Sequence, residues 1–238
     1  MTSRYVLRLI RRSEIPEVVR VQHAAFNDPT NTTPDEISQI LASEAQNETG
    51  EPATPEERKA KRVQSEYELY DKRIYSYVGA YLVPDSVAEA DEEDSSTLPA
   101  GSVLAGFGVW RRLDPSSPPE APEWNDKEQK DPNLLNRFMA QMWRRREDTM
   151  QGKTYWFLKL LCIDPQHQRK GLGTMLLGWG IKRADKEGVD AWLESSPMGK
   201  GAYLKAGFRI LGIDQIDEPR AKRGFVDWPY MIHDKPSH

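Results

Sequence analysis

The amino-acid sequence predicts an α/β fold in which helices are interleaved with a single β-sheet. Segments with strand composition alternate with helical segments along the 238 residues, and no internal repeat is visible. The most apolar strand, at residues 154–163, runs into a glycine-containing loop and then into an amphipathic helix. We therefore predict one domain over residues 1–238, with about seven strands in the sheet.

The first elements are a strand and a helix. Apolar and charged side chains alternate over residues 4–10 with a period of two, which indicates a strand. Ser13, followed by Glu14, Ile15, Pro16 and Glu17, is typical of a helix start, with the serine as N-cap. We expect this helix to run to about Phe26.

The next part of the chain predicts a helical insertion followed by two strands. Residues 27–71 are polar and contain two further helix starts, at Thr33 and at Thr54. Residues 74–83 and 103–110 have strand composition. Between them, residues 85–100 carry six acidic side chains and no basic one, which favours a mobile hairpin loop.

A second insertion precedes a helix in the middle of the chain. Residues 114–132 are rich in proline, and apolar residues then recur at helical spacing from Leu134 to Met142. The run Arg144-Arg145-Arg146 follows; it could contact phosphate, but we interpret it as a solvated helix face.

The C-terminal third has the clearest pattern. Residues 154–163 are apolar on both strand faces apart from Lys159, as expected of a central strand. The helix over residues 171–187 is amphipathic, and Gly188 is well placed to close it. A strand at 191–195, a helix at 199–206 and strands at 208–213 and 225–232 complete the predicted order.

Composition excludes several classes of function. The formal net charge of -4 gives no electrostatic reason to expect nucleic acid as a partner. Cys162 is the only cysteine, so disulfides and a cysteine-built zinc site are excluded, and we predict no metal site. No apolar run approaches the ~20 residues that cross a bilayer, and the N-terminus lacks a secretory signal. We expect a cytoplasmic protein that binds no membrane, with a nuclear location left open.

The loop after the central strand predicts an anion-binding site. A strand that passes through glycines directly into a helix gathers free backbone N–H groups at the positive end of the helix dipole. Gly171 and Gly173 would let a pyrophosphate approach the backbone closely. The nucleoside-triphosphate loop needs the full pattern Gly-x-x-x-x-Gly-Lys-Ser/Thr, which does not occur, and the dinucleotide fingerprint needs a third glycine where Leu176 stands.

Two motifs resemble the GNAT superfamily of acyl-CoA-dependent N-acetyltransferases. Gln168-Arg169-Lys170-Gly171-Leu172-Gly173 is similar to its signature of Arg or Gln, two residues, Gly, one residue, then Gly or Ala. Some thirty residues later, Tyr203-Leu204-Lys205-Ala206-Gly207-Phe208 matches the family's Tyr-x-x-x-Gly-Phe. The resemblance, clearest over residues 154–213, implies a mixed, largely antiparallel, twisted sheet that is splayed at its central strand, with helices on both faces.

The resemblance also implies acetyl-CoA as cosubstrate and a set of residues that hold it. The backbone of Leu161, Cys162 and Ile163 would pair with pantetheine and point an N–H at the thioester carbonyl, as an oxyanion donor. These three residues are equally expected as core, because the implied contacts use only backbone. The pyrophosphate would lie on the loop, and Ser196, where the family commonly has asparagine, could still donate a hydrogen bond. The implied loop residues are Gln168, Arg169, Lys170, Gly171, Leu172, Gly173 and Thr174.

The resemblance also implies catalytic roles for individual residues of this sequence. Tyr203 stands where the family has the acid that protonates the departing thiolate. A glutamate that often serves as general base early in the central strand is replaced by Phe157. Glu194 is our first candidate for the base, because it shares a strand face with Ser196; an ordinary salt-bridged glutamate is an equally good interpretation. His23 or a water chain are the other candidates.

The function indicated is transfer of an acetyl group to a primary amine by direct attack in a ternary complex. A non-catalytic acyl-CoA-binding module and an acyltransferase for a longer acyl chain stay open, whereas an acyl-Cys162 intermediate lacks a basic helper in the sequence. The acceptor is a small-molecule amine or a protein or peptide amine. The acidic stretch at residues 85–100 could attract a cationic acceptor or simply aid solubility, and the protein is a monomer or a homodimer.

Overall fold

One twisted sheet organises the molecule. The computed structural model describes residues 3–27, 36–44, 50, 53–84, 98–117 and 134–236. Within these ranges the strands are β1 (Ser3–Leu9), β2 (Ser76–Pro84), β3 (Val103–Leu113), β4 (Tyr155–Ile163), β5 (Asp190–Glu194), β6 (Arg209–Asp217) and β7 (Phe225–His233). Their order in the sheet is β1-β2-β3-β4-β5-β7-β6, and only β4 and β5 are parallel. The expected mixed, largely antiparallel seven-stranded sheet is confirmed.

Six helices are described, and they cover both faces of the sheet. They are α1 (Ile15–Phe26), α2 (Glu36–Glu44), α3 (Pro55–Asp71), α4 (Leu134–Met150), α5 (Leu172–Glu187) and α6 (Lys200–Lys205). Apolar side chains of α1 pack on one face with Tyr77 and Phe107 of the strands. Those of α5 pack on the other face with Trp110 and Leu158. In these ranges no helix has the length and apolar character that crossing a bilayer requires.

The sheet is splayed between β4 and β5. Their pairing extends only from Tyr155, opposite Asp190, to Leu158, opposite Leu193. Beyond Leu158, β4 stays paired with β3 as far as Ile163. The chain that leaves β5 instead follows β7, because the Ser195 N–H donates to the Pro229 carbonyl at 2.7 Å. The two strands therefore part, and one edge of β4 is left open toward its C-terminal end.

A β-bulge lies next to the splay. Val109 of β3 stands opposite Leu160, but the next residue, Trp110, stands opposite Leu158, so Lys159 is an extra residue in β4. A bulge interrupts the strict alternation of side chains. As a result, Leu160 and Cys162 pack with α1, whereas Leu158, Leu161 and Ile163 pack on the α5 side.

Helix α5 contacts the sheet very closely. A Cβ atom added to Gly180 would lie 2.4 Å from the Trp110 ring, which is completely buried. The Trp110 indole N–H also donates to the Leu176 carbonyl at 3.3 Å. Gly188 ends the helix with a φ of 66°, so the predicted C-terminal glycine is confirmed.

Some local predictions are confirmed and one is wrong. The helix start predicted at Thr54 is confirmed, and Thr54 and Glu57 form a capping box there. Ser13 does not cap α1: residues 12–14 form a 3₁₀ turn, and Glu14 is the residue that precedes the helix. Its carboxylate accepts hydrogen bonds from the Arg11 N–H and the buried Arg8 guanidinium, which fixes this turn. Residues 28–35, 85–97 and 118–133, which include the Thr33 helix start, lie outside the described residues.

Candidate active site

The open edge of β4 carries backbone groups that point away from β3. In an antiparallel pair, residues alternate between those bonded to the partner strand and those directed outward. The Asp164 N–H donates to the Ala105 carbonyl at 2.9 Å, so Cys162, two residues earlier, is also directed at β3. Leu161 and Ile163 then direct their N–H and C=O groups to the open side. Of the three backbone positions expected to bind pantetheine, two therefore have suitable geometry.

The predicted phosphate loop connects this edge to the start of α5. Gly171 has a φ of 83° and precedes the first residue of the helix. Arg169 has a φ of 60°, which is uncommon for a residue with a Cβ atom. These two left-handed residues turn the chain sharply, so that the helix begins just after the strand. The first-turn N–H groups of α5 have no acceptor within the helix and can face an anion.

Packing within the protein does not require a glycine at position 173. It lies in the first turn of α5, and a Cβ atom added there would meet nothing within 4 Å. A glycine in a helix costs about 0.8–1.0 kcal/mol relative to alanine. The open space beside Gly173 and the exposed side chains of Lys170 and Thr174 fit a site that admits a bulky anion.

Asp164 anchors the loop to the first helix. Its carboxylate accepts hydrogen bonds from the Arg20 guanidinium at 2.6 Å and from the Gln166 N–H at 3.1 Å. Burial opposes ionisation of Asp164, but these bonds outweigh it, so the pKa of Asp164 lies below its usual value. The Gln168 side chain donates to the Ile163 carbonyl at 3.4 Å, which links the loop to the open edge of β4.

A cavity of about 530 Å³ opens beside the splay, and residues of α1, α3 and α4 line it together with residues of the strands. Phe157 and Leu161 of β4 form part of its wall, together with Glu194 at the end of β5. Ser196 and Tyr203 also line it, so three of the predicted site side chains face one space. A volume of ~300–1,000 Å³ is typical of small-molecule sites.

Tyr203 is buried in the cavity wall. Only 7% of the residue is exposed, and its ring lies edge-on to Phe208 with centroids 6.3 Å apart. Burial raises the pKa of the Tyr203 phenol above its ordinary value, and the nearby Cys162 adds to the effect. The hydroxyl therefore stays protonated at neutral pH and can act as a proton donor. Ser196 Oγ accepts a hydrogen bond from the Gly199 N–H at 3.3 Å, just before α6.

Glu194 is held by two neighbours. The Trp192 indole N–H donates to Glu194 Oε1 at 2.7 Å, and the Arg146 guanidinium lies 3.4 Å from the same oxygen. Arg146 also lies over the Phe157 ring, 3.9 Å from its centroid. The prediction that residues 144–146 form a solvated face is wrong for Arg146, which is 6% exposed, because the Glu194 carboxylate and the Phe157 ring together offer it a buried site.

Comparisons with known proteins agree with this geometry. The model of the acetyltransferase (GNAT) family matches residues 68–208. The chain belongs to the GNAT acetyltransferase family. It is therefore a transferase of the acyltransferase class. The match covers more than half of the 238 residues and includes both motifs from which the resemblance was inferred.

Two solved structures share the GNAT fold of this chain. One is described as histone acetyltransferase HPA2 and related acetyltransferase from Corynebacterium glutamicum, with a TM-score of 0.53, 15% identity and 98% coverage of each chain. The other is a mosquito arylalkylamine N-acetyltransferase like 5b, with a TM-score of 0.55, 14% identity and coverage of 96% and 99%. At these identities the likeness concerns the fold alone.

A curated relative matches only a short segment. An acetyltransferase from Stachybotrys chartarum is 30% identical over 72 residues, which are 29% of this GNAT chain and 31% of the relative. The match therefore spans about a third of the relative's length.

Two other candidates from the sequence lie outside the cavity wall that the described residues form. Cys162 is 2% exposed and packs under α1, and burial raises the pKa of its thiol well above the usual range. His23 is exposed on α1. Neither side chain faces the space that Glu194, Ser196 and Tyr203 share in this GNAT domain.

Sequence reasoning did not assign a role to Arg111 or Lys159, which both line the cavity. Arg111 is 3% exposed at the end of β3, and Lys159 is the bulged residue of β4. The sequence could have indicated a role for Lys159, because it is the one charged residue in an otherwise apolar strand. It could not have indicated one for Arg111, since an arginine near the end of a strand is common.

Proposed function

We propose that the protein transfers an acetyl group from acetyl-CoA to a primary amine by direct attack within a ternary complex. The amine nitrogen attacks the thioester carbonyl carbon, the C–S bond breaks, and the departing thiolate takes up a proton. Membership of the GNAT acetyltransferase family supports acetyl transfer in general. Our proposal goes beyond this in three respects: it names acetyl-CoA as the donor, a primary amine as the acceptor, and the roles of individual residues.

The observation that carries the proposal is Gly173. A glycine inside a helix weakens the helix, and the space beside Gly173 would accept a side chain without a clash. Binding of a pyrophosphate against the helix start explains why a side chain is missing there. The other residues proposed for this loop are Gln168, Arg169, Lys170, Gly171, Leu172 and Thr174.

The open edge of β4 supports the same arrangement. Pantetheine carries amide groups that can pair with the outward N–H and C=O groups of Leu161 and Ile163, in the manner of a neighbouring strand. The backbone groups of Cys162, which lies between them, are directed at β3, so we propose no contact of Cys162 with pantetheine. We propose that an N–H on this edge binds the thioester oxygen as negative charge develops on it.

Tyr203 and Glu194 are proposed for the two proton transfers. The protonated Tyr203 phenol would supply the proton to the thiolate, and Ser196 would hydrogen-bond to the cofactor beside it. The Glu194 carboxylate, which lines the cavity, would accept a proton from the arriving ammonium. Its contacts with Trp192 and Arg146 occupy part of its hydrogen-bonding capacity, so a water between Glu194 and the amine is included in the proposal.

A second candidate function is that of a non-catalytic acyl-CoA-binding module. Two observations favour it: the family's strand glutamate is replaced by the buried Phe157, and Glu194 is engaged with Arg146. An acyltransferase for longer acyl chains would use the same site. We propose a cytoplasmic monomer or homodimer for each case, and the single buried cysteine supports a reducing compartment.

The test is a calorimetric titration of the protein with acetyl-CoA and with pantetheine that lacks phosphate. Gly173→Glu places a carboxylate and a side chain against the proposed pyrophosphate, so acetyl-CoA binding should be lost. Gly178→Glu is the matched control, because it makes the same change in the same helix at a position that is also open within 4 Å.

The outcomes separate the candidates. Binding that needs the pyrophosphate and is lost only in Gly173→Glu supports the cofactor site, and turnover of an amine then establishes the transferase. Tight binding without turnover of any amine in a panel favours the binding module. An unmodified protein that does not bind acetyl-CoA would refute the proposal.

A further inference from the structure

Two polar side chains of the cavity wall are bonded to each other across two helices. The Arg62 Nε–H of α3 donates to Gln22 Oε1 of α1 at 3.0 Å, and both residues line the cavity. Because Glu194 and Tyr203 line the same space, an acceptor bound there can contact this pair. Both residues precede residues 68–208, so the match to the GNAT family model does not account for them.

A buried carboxylate fixes the Arg62 guanidinium. Glu66, four residues later in α3, is 2% exposed, and its Oε2 lies 2.7 Å from Arg62 Nη2. The Tyr77 hydroxyl of β2 donates a hydrogen bond to the other oxygen of Glu66. Removing one partner of a pair with a buried charge is costly, so Glu66 holds Arg62 firmly. Three elements, α1, α3 and β2, therefore orient one guanidinium at the cavity wall.

The bond from Arg62 also fixes the Gln22 amide. Only the oxygen of a glutamine amide can accept a hydrogen bond, so this bond assigns Oε1 and leaves the N–H groups of Nε2 as donors. Among the described residues, neither Gln22 Nε2 nor Arg62 Nη1 has a hydrogen-bond partner. The pair thus offers neighbouring N–H donors from two residues, and a ligand group that binds to it must be an acceptor of hydrogen bonds.

The charge of Arg62 is already balanced by Glu66. The Glu66 carboxylate is shielded from water, so its negative charge acts on any group that binds beside Arg62. A ligand carboxylate would be repelled by it, whereas a neutral carbonyl oxygen would not. A carbonyl oxygen has two lone pairs and can accept from both side chains at once. The pair therefore favours a neutral oxygen, such as that of an amide.

We propose that Gln22 and Arg62 select the acceptor, and that the acceptor carries an amide carbonyl next to its primary amine. The carbonyl oxygen accepts hydrogen bonds from Gln22 Nε2 and Arg62 Nη1, and the amine is directed toward Glu194 and the acyl group. Amino-acid amides and the first residue of a peptide share this chemistry. The inference rests on the proposed function and names the class of its acceptor.

The test compares amino-acid amides with the amines that lack only the amide group. The protein, alone and saturated with CoA, which cannot react, is titrated calorimetrically with three matched pairs: alaninamide and ethylamine, leucinamide and 3-methylbutylamine, phenylalaninamide and 2-phenylethylamine. At about pH 6.5 both members of a pair are ammonium ions, because α-amino groups have a pKa of about 7.7–8.0. We expect the amide of at least one pair to bind about fivefold more tightly or better, as two hydrogen bonds between neutral and fixed groups provide.

Two further ligands refine the assignment. The free amino acid of the same pair replaces the neutral oxygen by a carboxylate, and it should depend less on Gln22 and Arg62 than the amide does. A tripeptide amide with the same first residue distinguishes the two sources of an amide carbonyl. Tighter binding of the tripeptide supports a peptide acceptor, and equal or weaker binding supports a small amino-acid amide.

Variants then assign the preference to the pair. Gln22→Met removes the N–H groups of Nε2, and Arg62→Lys keeps a cation for Glu66 but removes the Nη1 donors. Each should abolish most of the preference for the amide and leave the affinity for CoA unchanged. Gln64→Met is the matched control: Gln64 is exposed on α3 and is not among the described residues that line the cavity, so the preference should persist. Gln22→Met tests the proposal even if Arg62→Lys unfolds.

Several results would overturn the proposal. They are equal binding within every pair, tighter binding of the amines, no binding of any pair, a preference that survives in Gln22→Met and in folded Arg62→Lys, or variants that weaken the amino acid and not the amide. Failure of the proposed function gives a different pattern. In that case the preference for the amide appears and depends on the pair, but acetyl-CoA is never turned over.

Discussion

Gly180 of α5 packs directly on Trp110, and its replacement by alanine tests how tightly this helix is seated on the sheet. The added Cβ atom would lie 2.4 Å from the ring, whereas real Cβ contacts essentially never fall under 3.0 Å. Helix and ring must therefore separate by at least about 0.6 Å. The Trp110 side chain is fully buried between the sheet and α5, so it has no free space to enter.

The size of the effect follows from a comparison with Gly178→Ala in the same helix. Each substitution gains ~1 kcal/mol of helix propensity. At Gly178 nothing lies within 4 Å of the new atom, so that gain stands alone. At Gly180 overpacking opposes it by about 1–3 kcal/mol. Because the propensity gain is common to both, the free energies of unfolding of the two variants should differ by about 1–3 kcal/mol.

Thermal unfolding followed by circular dichroism measures this difference. For a chain of this length, each 1 kcal/mol shifts Tm by roughly 2–4 °C, so Gly178→Ala should melt about 2–12 °C above Gly180→Ala. Since α5 also carries the glycine loop, Gly180→Ala should weaken acetyl-CoA binding as well. Equal Tm values would refute the reasoning, because they would mean that the helix moves off Trp110 without a cost.

Three further predictions concern the site itself. Tyr203→Phe should lower kcat about 10²-fold or more and leave calorimetric acetyl-CoA binding unchanged, because only the proton donor is removed. Cys162→Ala should keep the steady-state turnover of the parent, and the parent should form no acyl-enzyme detectable by mass spectrometry, since the thiol is buried under α1. Asp164→Asn should lose about 1–2 kcal/mol of unfolding free energy at pH 7 in urea titrations, through its contact with Arg20.

The last of these predictions has a defined pH dependence. The pKa of Asp164 is lowered in the folded protein, so the folded state binds its proton less readily than the unfolded state. Its contribution to stability is therefore complete above the unfolded pKa of about 3.9 and is lost as the pH falls through the folded pKa. The gap between parent and Asp164→Asn should therefore begin to narrow below about pH 4 and should continue to narrow as the pH falls further.

Contrary results would be informative for each residue. A Tyr203→Phe variant with undiminished kcat would assign the proton donor to water or to another group. An acetylated Cys162 in the parent protein would replace direct attack by a covalent intermediate. A stability gap for Asp164→Asn that is the same at pH 3 and at pH 7 would show that the carboxylate's charge is irrelevant to anchoring the loop.

Local sequence patterns predicted much of this fold because their causes are local. A capping box at Thr54, a glycine after α5 and the apolar run of β4 depend on neighbours within a few residues. The glycine loop and Tyr203 could be located because each belongs to a motif with fixed spacing. Ser13 failed as a cap because residues 12–14 form a 3₁₀ turn, in which the Glu14 carboxylate is held by Arg8 and by the Arg11 N–H.

The features of the cavity depend on contacts between distant parts of the chain. Arg146 is 48 residues from Glu194, and nothing in its basic neighbourhood distinguishes it from the exposed Arg144. Arg111 and Lys159 become neighbours only through the pairing of β3 with β4. The bulge at Lys159 has no glycine or proline to mark it in the sequence. The charged side chains that line this cavity could therefore be recognised as neighbours only in the folded structure.

The splay divides the sheet into two halves that are joined in two different ways. Strands β1 to β4 form one half and strands β5 to β7 the other, and the direct pairing between them is limited to the four residue pairs from Tyr155–Asp190 to Leu158–Leu193. On the α5 side one apolar core continues across both halves, with Leu158 from one and Leu193 from the other. A ligand that pairs with the open edge of β4 would therefore extend the first half where strand β5 has left it, and would need no break in the core.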